Sequence, residues 1–131
     1  CAVTGINYSS WSGFVSVGEA IATMFGLDNY SGQMNGRIGY DWGTFGRLST
    51  SQWDTIAMTR DAAGNYAMYL NGICIAEKTQ SPITTVNTQY IDAGYCRGAH
   101  KANCYISDYC VYDRALIADE IIAMHREVLG L

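Results

Sequence analysis

The chain has 131 residues, of which 49% are hydrophobic and only 15% charged, and its formal net charge is −4 at pH 7. This composition is that of one globular domain and excludes a disordered acidic tail. The Lys and Arg residues are scattered, which argues against a nucleic-acid partner, and no apolar run approaches the ~18 residues that a membrane span needs.

Short apolar runs separated by turn residues fill the first 115 residues, a pattern typical of β-strands. Asn71-Gly72 is the clearest turn, because both residues tolerate the positive φ of a type I′ hairpin. Further turns are predicted at Asp28-Asn29, Ser31-Gly32, Asn35-Gly36 and Trp42-Gly43. The predicted strands are 13–17, 19–26, 36–42, 45–49, 54–61, 65–70, 72–78, 88–93 and 103–113. This pattern predicts an all-β protein with two antiparallel sheets packed as a sandwich.

The aromatic segment 39–46 is predicted to be an exposed, Gly-rich loop within this pattern. Tyr40, Asp41 and Trp42 are its candidate ligand-binding residues, because a flat ring beside a carboxylate can both stack on a sugar and hydrogen-bond to it. Packing of the rings in the core is the alternative.

Five cysteines indicate an oxidising, extracellular compartment. Cys96 and Cys104 enclose the polar loop 97–103, and their spacing predicts a disulfide that closes a hairpin. Cys74 and Cys110 are a second candidate pair, which leaves Cys1 without a partner. The alternative is that the cysteines are small buried apolar residues of an intracellular protein.

The period of the apolar residues changes near the end of the chain. Ile121, Ile122, His125 and Val128 recur at helical spacing, Asp119 and Glu120 suit the first turn, and Gly130 suits the end. We expect one C-terminal helix over 118–129 that packs this apolar side on the sandwich.

Two segments carry a family resemblance. The first is W-D-T-I-A-M-T-R-D at 53–61, followed by Y-L-N-G at 69–72, and the second is I-S-D-Y-C-V-Y-D-R-A-L at 106–116, followed by D-E-I at 119–121. In order and spacing they resemble the laminin-G-like, concanavalin-type jelly roll over residues 50–122, whereas the first 50 residues match poorly. The resemblance implies one jelly-roll domain over 1–131. Trp53, which opens a strand, is expected in its core.

The resemblance also implies calcium at one rim of the sandwich, with Asp92 and Asp108 as the candidate ligands. Such residues also populate turns, which is the alternative. Some relatives with this fold are glycoside hydrolases, but the chain lacks an E-x-D-x-x-E run. His100 lies in a loop and His125 on the apolar side of the helix, so we predict no enzyme.

The predicted function is a non-catalytic, extracellular module for carbohydrate binding or adhesion, with a glycan or an extracellular protein as partner. The alternative is a self-assembling structural subunit of a surface filament, virion decoration or fibre, which low charge and open strand edges favour. A glycoside hydrolase is the third hypothesis.

Overall fold

A computed structural model describes residues 1–5, 12–17, 25–38, 40–81, 91–96, 100–101 and 103–131. In chain order the strands and the helix are β1 (Ala2–Thr4), β2 (Ser12–Val17), β3 (Phe25–Tyr30), β4 (Gln33–Ile38), β5 (Tyr40–Arg47), β6 (Asp54–Arg60), β7 (Asn65–Leu70), β8 (Ile73–Thr79), β9 (Ile91–Ala93), β10 (Tyr95–Cys96), β11 (His100–Lys101), β12 (Tyr105–Ser107) and α1 (Ala118–Leu129). Among these residues, no helix is long and apolar enough to cross a membrane.

The strands form two antiparallel sheets and a short hairpin. Sheet one has the order β12-β1-β6-β7-β8, and sheet two has the order β5-β4-β3-β2-β9. The hairpin β10-β11 lies against β2 and β3 of sheet two. The predicted two-sheet sandwich with one C-terminal helix is therefore confirmed.

The core lies between the two sheets and draws on both. Its buried apolar residues are Val3, Phe14, Leu27, Met34, Leu48, Ile56 and Met68. Each comes from a strand or its flank at a position that alternates with residues on the other face, as expected of a pleated strand. Burial of this set is what fixes how the two sheets face each other.

The hairpin β7-β8 follows the sequence closely. Asn71 and Gly72 have φ values of 53° and 77°, the positive angles that a type I′ turn requires. The three strands β6, β7 and β8 start and end within one or two residues of their predicted positions. Local turn chemistry was sufficient here because two residues set the register of the whole hairpin.

The prediction was wrong for several turns in sheet two. Asn35 and Gly36 lie inside β4, Asp28 and Asn29 lie inside β3, and the segment 40–47 is edge strand β5 instead of a loop. The last predicted strand, 103–113, ends at Ser107, because the next residue, Asp108, takes a φ of 51° that breaks the extended chain. The predicted strand 19–26 falls largely on residues outside the described part of the chain.

Helix α1 has the predicted bounds and packs on the outer face of sheet one. Ile121 is its buried residue, at 6% exposed, and the imidazole Nδ1 of His125 lies 2.8 Å from the hydroxyl of Thr55 on β6. Gly130 ends the helix in the left-handed conformation, at φ 68°. The apolar side predicted from the sequence is thus the side that faces the sheet.

Candidate functional site

Three polar side chains form a buried network on sheet two. Asp28 accepts hydrogen bonds from Asn35 Nδ2 and Arg37 Nε, each at 2.8 Å, and its Oδ2 lies 2.7 Å from Arg37 Nη2. Leu27 and Met34 alternate with these residues and belong to the core, which places the network on the outer face. The side chains of Asp28 and Arg37 are 0% exposed. Burial of two charges is costly unless they are matched, and here each faces the other.

The sequence analysis missed this network because Asp28 and Asn35 resemble turn residues. The turn that exists is Ser31-Gly32, with φ values of 51° and 82°. It pairs β3 with β4 so that residues at equal distances from the turn are opposite, and Asp28 therefore faces Asn35. Complementary polar residues at equal distances from a two-residue turn were the signal that could have revealed the pair.

Asp41 and Asp92, two of the predicted site residues, fall into one row across sheet two. The register places Asp92 opposite Ser16, Ser16 opposite Gly26, Gly26 opposite Arg37, and Arg37 opposite Asp41. Four strand spacings of ~4.8 Å put the backbones of Asp41 and Asp92 about 19 Å apart. Their side chains lie outside the described part of the structure. These five residues are called the polar row below.

Trp42 packs towards the core, which corrects the prediction of an exposed aromatic loop. Its ring meets Phe45 edge-on, with ring centroids 5.7 Å apart. A Cβ placed on Gly36 would lie 3.0 Å from the Trp42 ring and 2.5 Å from the sulfur of Met68. The ring thus occupies space between the sheets that a larger residue at position 36 would need. A ligand contact for Tyr40 and Asp41 stays a prediction, and Trp42 is poorly placed for one.

Asp92 and Asp108, the predicted calcium ligands, lie on different sheets. Asp92 is in β9 of sheet two, whereas Asp108 follows β12 at the edge of sheet one. Asp108 is exposed and accepts a hydrogen bond of 2.6 Å from the hydroxyl of Ser107. Calcium needs about six to eight oxygen ligands, and no group of three His, Cys, Asp or Glu residues converges among the described ones. Calcium binding by Asp92 and Asp108 stays a prediction.

Neither predicted disulfide is formed in the structure. Cys74, Cys104 and Cys110 are free thiols, and the side chain of Cys96 lies outside the described part. Cys74 is on edge strand β8, whereas Cys110 follows β12 at the other edge of sheet one, which corrects that pairing. Cys104 is half-buried, and burial raises the pKa of its thiol to about 11. Because the thiol of Cys104 is free, the Cys96–Cys104 disulfide is not formed in the structure either.

A cavity of about 340 Å³ opens between the sheets next to the segment that joins β12 to α1. Apolar side chains of both sheets and of the helix line it, among them Leu27, Met58 and Ile121. None of the predicted ligand-binding residues borders it among the described lining residues. Gly26 is the one member of the polar row among the described residues that line the cavity.

Trp53, expected in the core, is 42% exposed. It stands immediately before β6, while its neighbour Asp54 is buried and accepts hydrogen bonds from the Ser49 backbone and from Asn71 Nδ2. The start of β6 is therefore anchored by Asp54, and not by the Trp53 ring as expected. The ring is left on the surface.

A model of the concanavalin A-like lectin/glucanases superfamily, Laminin_G_3, matches residues 7–122 of the chain. The chain belongs to this superfamily. The match confirms the laminin-G-like resemblance and extends it to residues 7–49, where the sequence motifs gave little signal. No curated protein matches the chain.

Solved structures with a similar fold include a carbohydrate-binding module. Ruminococcus gnavus IT-sialidase CBM40, bound to α2,3-sialyllactose, superposes with a TM-score of 0.67 at 19% identity, covering 95% of this chain and 79% of that chain. The same module bound to α2,6-sialyllactose gives a TM-score of 0.64 at 17% identity, with the same coverage. Similarity at this level of identity shows the shared fold.

Proposed function

We propose that this chain is a non-catalytic carbohydrate-binding domain of a secreted or surface-exposed protein, and that it binds its ligand at the two ends of the polar row. The observation that carries the proposal is the buried Asp28–Asn35–Arg37 network, whose Arg37 belongs to that row. The network is too deeply buried to touch a ligand. Its role is to hold β3 and β4 in fixed register beneath the surface, as binding sites require of their supporting residues.

Asp41 and Asp92 are the proposed ligand contacts. They stand at the two ends of the row, on the edge strands β5 and β9. Carboxylates in fixed positions accept hydrogen bonds from sugar hydroxyls and give a site its orientation. Tyr40, which precedes Asp41, is the proposed stacking partner because aromatic rings cover the apolar face of a sugar.

The spacing of these carboxylates argues against hydrolysis. A glycosidase needs two carboxyl groups about 5 to 9.5 Å apart, whereas the backbones of Asp41 and Asp92 are separated by about 19 Å. Two other carboxylates of the described chain, Asp28 and Asp54, are committed to buried structural hydrogen bonds. The arrangement therefore favours binding without reaction.

Sialylated oligosaccharides are the first ligand class to test, since the carbohydrate-binding module described above is solved with two sialyllactose isomers. Their carboxylate would need a counter-charge or a donor at the row, while Arg37 is already matched by Asp28. Neutral glycans belong in the same panel for that reason.

The proposal is tested on a glycan array, followed by calorimetry with α2,3- and α2,6-sialyllactose and the strongest array ligand. Asp41→Asn and Asp92→Asn should each weaken binding about tenfold, the scale of a lost charged hydrogen bond. Asp113→Asn, an exposed carboxylate on the other sheet's flank, is the matched control and should bind like the wild type. No array ligand, or full binding by both row variants, would contradict the proposal.

Titrations in calcium and in EDTA decide whether an ion takes part. The resemblance implies calcium, but Asp92 and Asp108 are on different sheets. We expect equal affinity in both buffers. A loss of binding in EDTA would instead support a calcium site, and Asp92 would be the first ligand to test.

Self-assembly is the second candidate function, and one observation favours it. Strand β8 is an edge of sheet one and exposes Ile73, at 68%, and the neighbouring Cys74. An apolar side chain on an open edge invites pairing with another strand. Sedimentation velocity over a range of concentrations distinguishes the two: large assemblies that Ile73→Lys dissolves support the structural role, and a monomer supports the binding domain.

A further inference from the structure

A pair of exposed aromatic rings flanks β1 on sheet one, away from the polar row. Tyr105 on β12 is 72% exposed and Trp53, before β6, is 42% exposed. Large aromatic side chains dominate burial energetics and interface contacts in proteins, so two that remain in water within three strands form a distinctive surface. This surface is called the aromatic pair below.

The register of sheet one sets the spacing of the two rings. Tyr105 lies opposite Thr4, and Val3 lies opposite Asp54, so that Trp53 falls beside Thr4 on its other side. The strand order β12-β1-β6 separates the two aromatic residues by two strand spacings, about 10 Å in total. Thr4 presents a hydroxyl side chain in the gap between them.

Both rings are attached to well-supported backbone. A Cβ on Gly5, whose φ is 69°, would lie 3.1 Å from Cδ2 of Tyr105, so the ring rests against the glycine backbone. On the other side, the hydroxyl of Ser49 accepts hydrogen bonds from the amides of Ser51 and Gln52, at 3.2 and 2.9 Å. This turn leads directly into Trp53. A backbone that is already ordered loses less conformational entropy when a ligand binds.

Two exposed amide side chains lie near the pair in sequence. Gln52 precedes Trp53 and Asn103 lies two residues before Tyr105, and both are exposed. The carboxylate nearest in sequence, that of Asp54, is buried and bonded to the Ser49 backbone and to Asn71. A ligand here meets apolar ring faces, amides and a hydroxyl, which is the complement of a neutral sugar: an apolar C–H face rimmed by hydroxyl groups.

We infer that the aromatic pair is a second carbohydrate site, which takes a neutral oligosaccharide laid across β1 from Trp53 to Tyr105. The gap of about 10 Å between the two residues requires more than one sugar unit, so monosaccharides bind weakly and longer chains bind better. This site is on the opposite sheet from the polar row and uses none of its residues. The test of this second site is therefore independent of the test of the polar row.

The inference is tested by isothermal titration calorimetry of the chain with glucose, cellohexaose and maltohexaose, a readout that does not depend on the tryptophan itself. A hexasaccharide should bind at least tenfold more tightly than glucose. Trp53→Ala and Tyr105→Ala should each weaken hexasaccharide binding about tenfold, and Trp53→Phe, which keeps a ring, should retain most of it. Ile117→Ala, an exposed apolar residue just before α1, is the control and should change nothing.

Thermal unfolding of each variant separates a lost contact from a lost fold. Because both rings are on the surface, melting temperatures should stay close to the wild type. If Trp53→Ala unfolds the chain, Tyr105→Ala and Trp53→Phe carry the test. The inference is overturned if neither hexasaccharide binds at millimolar concentration, if both alanine variants bind as well as the wild type, or if Asp92→Asn abolishes the binding while Trp53→Ala leaves it intact.

Discussion

At the scale of single residues, the start of the helix depends on one carboxylate. Glu120 accepts two hydrogen bonds from Arg114, at 2.6 and 2.8 Å, and a third from the backbone amide of Ile117, at 3.0 Å. These bonds, the one from Arg114 first, lower the pKa of Glu120 from 4.5 to about 2. The carboxylate therefore ties the preceding loop to the first turn while it is ionised.

This pair predicts a pH dependence with a definite sign. A carboxyl whose folded pKa is lowered stabilises the fold above its unfolded pKa, and that contribution disappears as pH falls from about 4.5 towards 2. Glu120→Gln should therefore be less stable than the wild type at pH 6, and the difference should shrink on acidification. Urea unfolding at pH 6, 4 and 3 measures it, with Glu127→Gln as the control for helix charge. A difference that is constant with pH would exclude the mechanism.

For two tryptophans, the environment in the structure is the reverse of the one predicted from the sequence. Trp42 was predicted on the surface because glycine and aspartate surround it, and Trp53 in the core because it opens a strand. In the structure Gly36 and Gly43 face each other across β4 and β5, and the missing side chain of Gly36 makes room for the Trp42 ring. Glycines near an aromatic residue can thus provide space in the core as well as a turn, and local sequence does not distinguish the two.

At the scale of elements, the packing of α1 can be tested by a single truncation. Ile121 is 6% exposed between the helix and sheet one. Ile121→Ala should lower the free energy of unfolding by about 2–4 kcal/mol, through lost transfer energy and the cavity that remains. Chemical unfolding in urea measures the change.

Ile117→Ala is the matched control, because it removes the same atoms from a side chain that is 64% exposed. Its effect should stay within about 0.5 kcal/mol, as is usual for surface positions. Equal effects of the two substitutions would mean that the helix does not pack on the sheet in solution.

The elements that the sequence predicted best are those defined by local chemistry. The helix bounds followed from apolar periodicity and Gly130, and strands β6 to β8 followed from the Asn71-Gly72 turn. In sheet two the predictions failed because Asp28 and Asn35 favour turns by themselves, while in β3 and β4 they satisfy each other by a hydrogen bond across strands. A contact between two strands overrode the preference of each residue.

At the scale of the whole molecule, the sandwich carries its two proposed sugar surfaces on different sheets. The polar row belongs to sheet two and the aromatic pair to sheet one, with the core between them. The sequence predicted this class of fold through its motifs. It could not predict the surfaces, because the polar row and the aromatic pair exist only once strand register is set: Asp92 and Asp41 are 51 positions apart in sequence yet share one row.

The buried ion pair between Asp28 and Arg37 also bears on how the domain responds to heat. Hydration of charged groups becomes less favourable as temperature rises, so the cost of keeping this pair away from water falls on warming. The triple variant Asp28→Leu, Asn35→Leu, Arg37→Met should have a free energy of unfolding close to that of the wild type at 10 °C. At 40 °C its free energy of unfolding should be lower than that of the wild type. Urea unfolding of both proteins at the two temperatures checks this expectation, and a difference that does not move with temperature would refute it. The buried Asp28–Arg37 pair would then contribute more to the stability of the domain at high temperature than at low temperature.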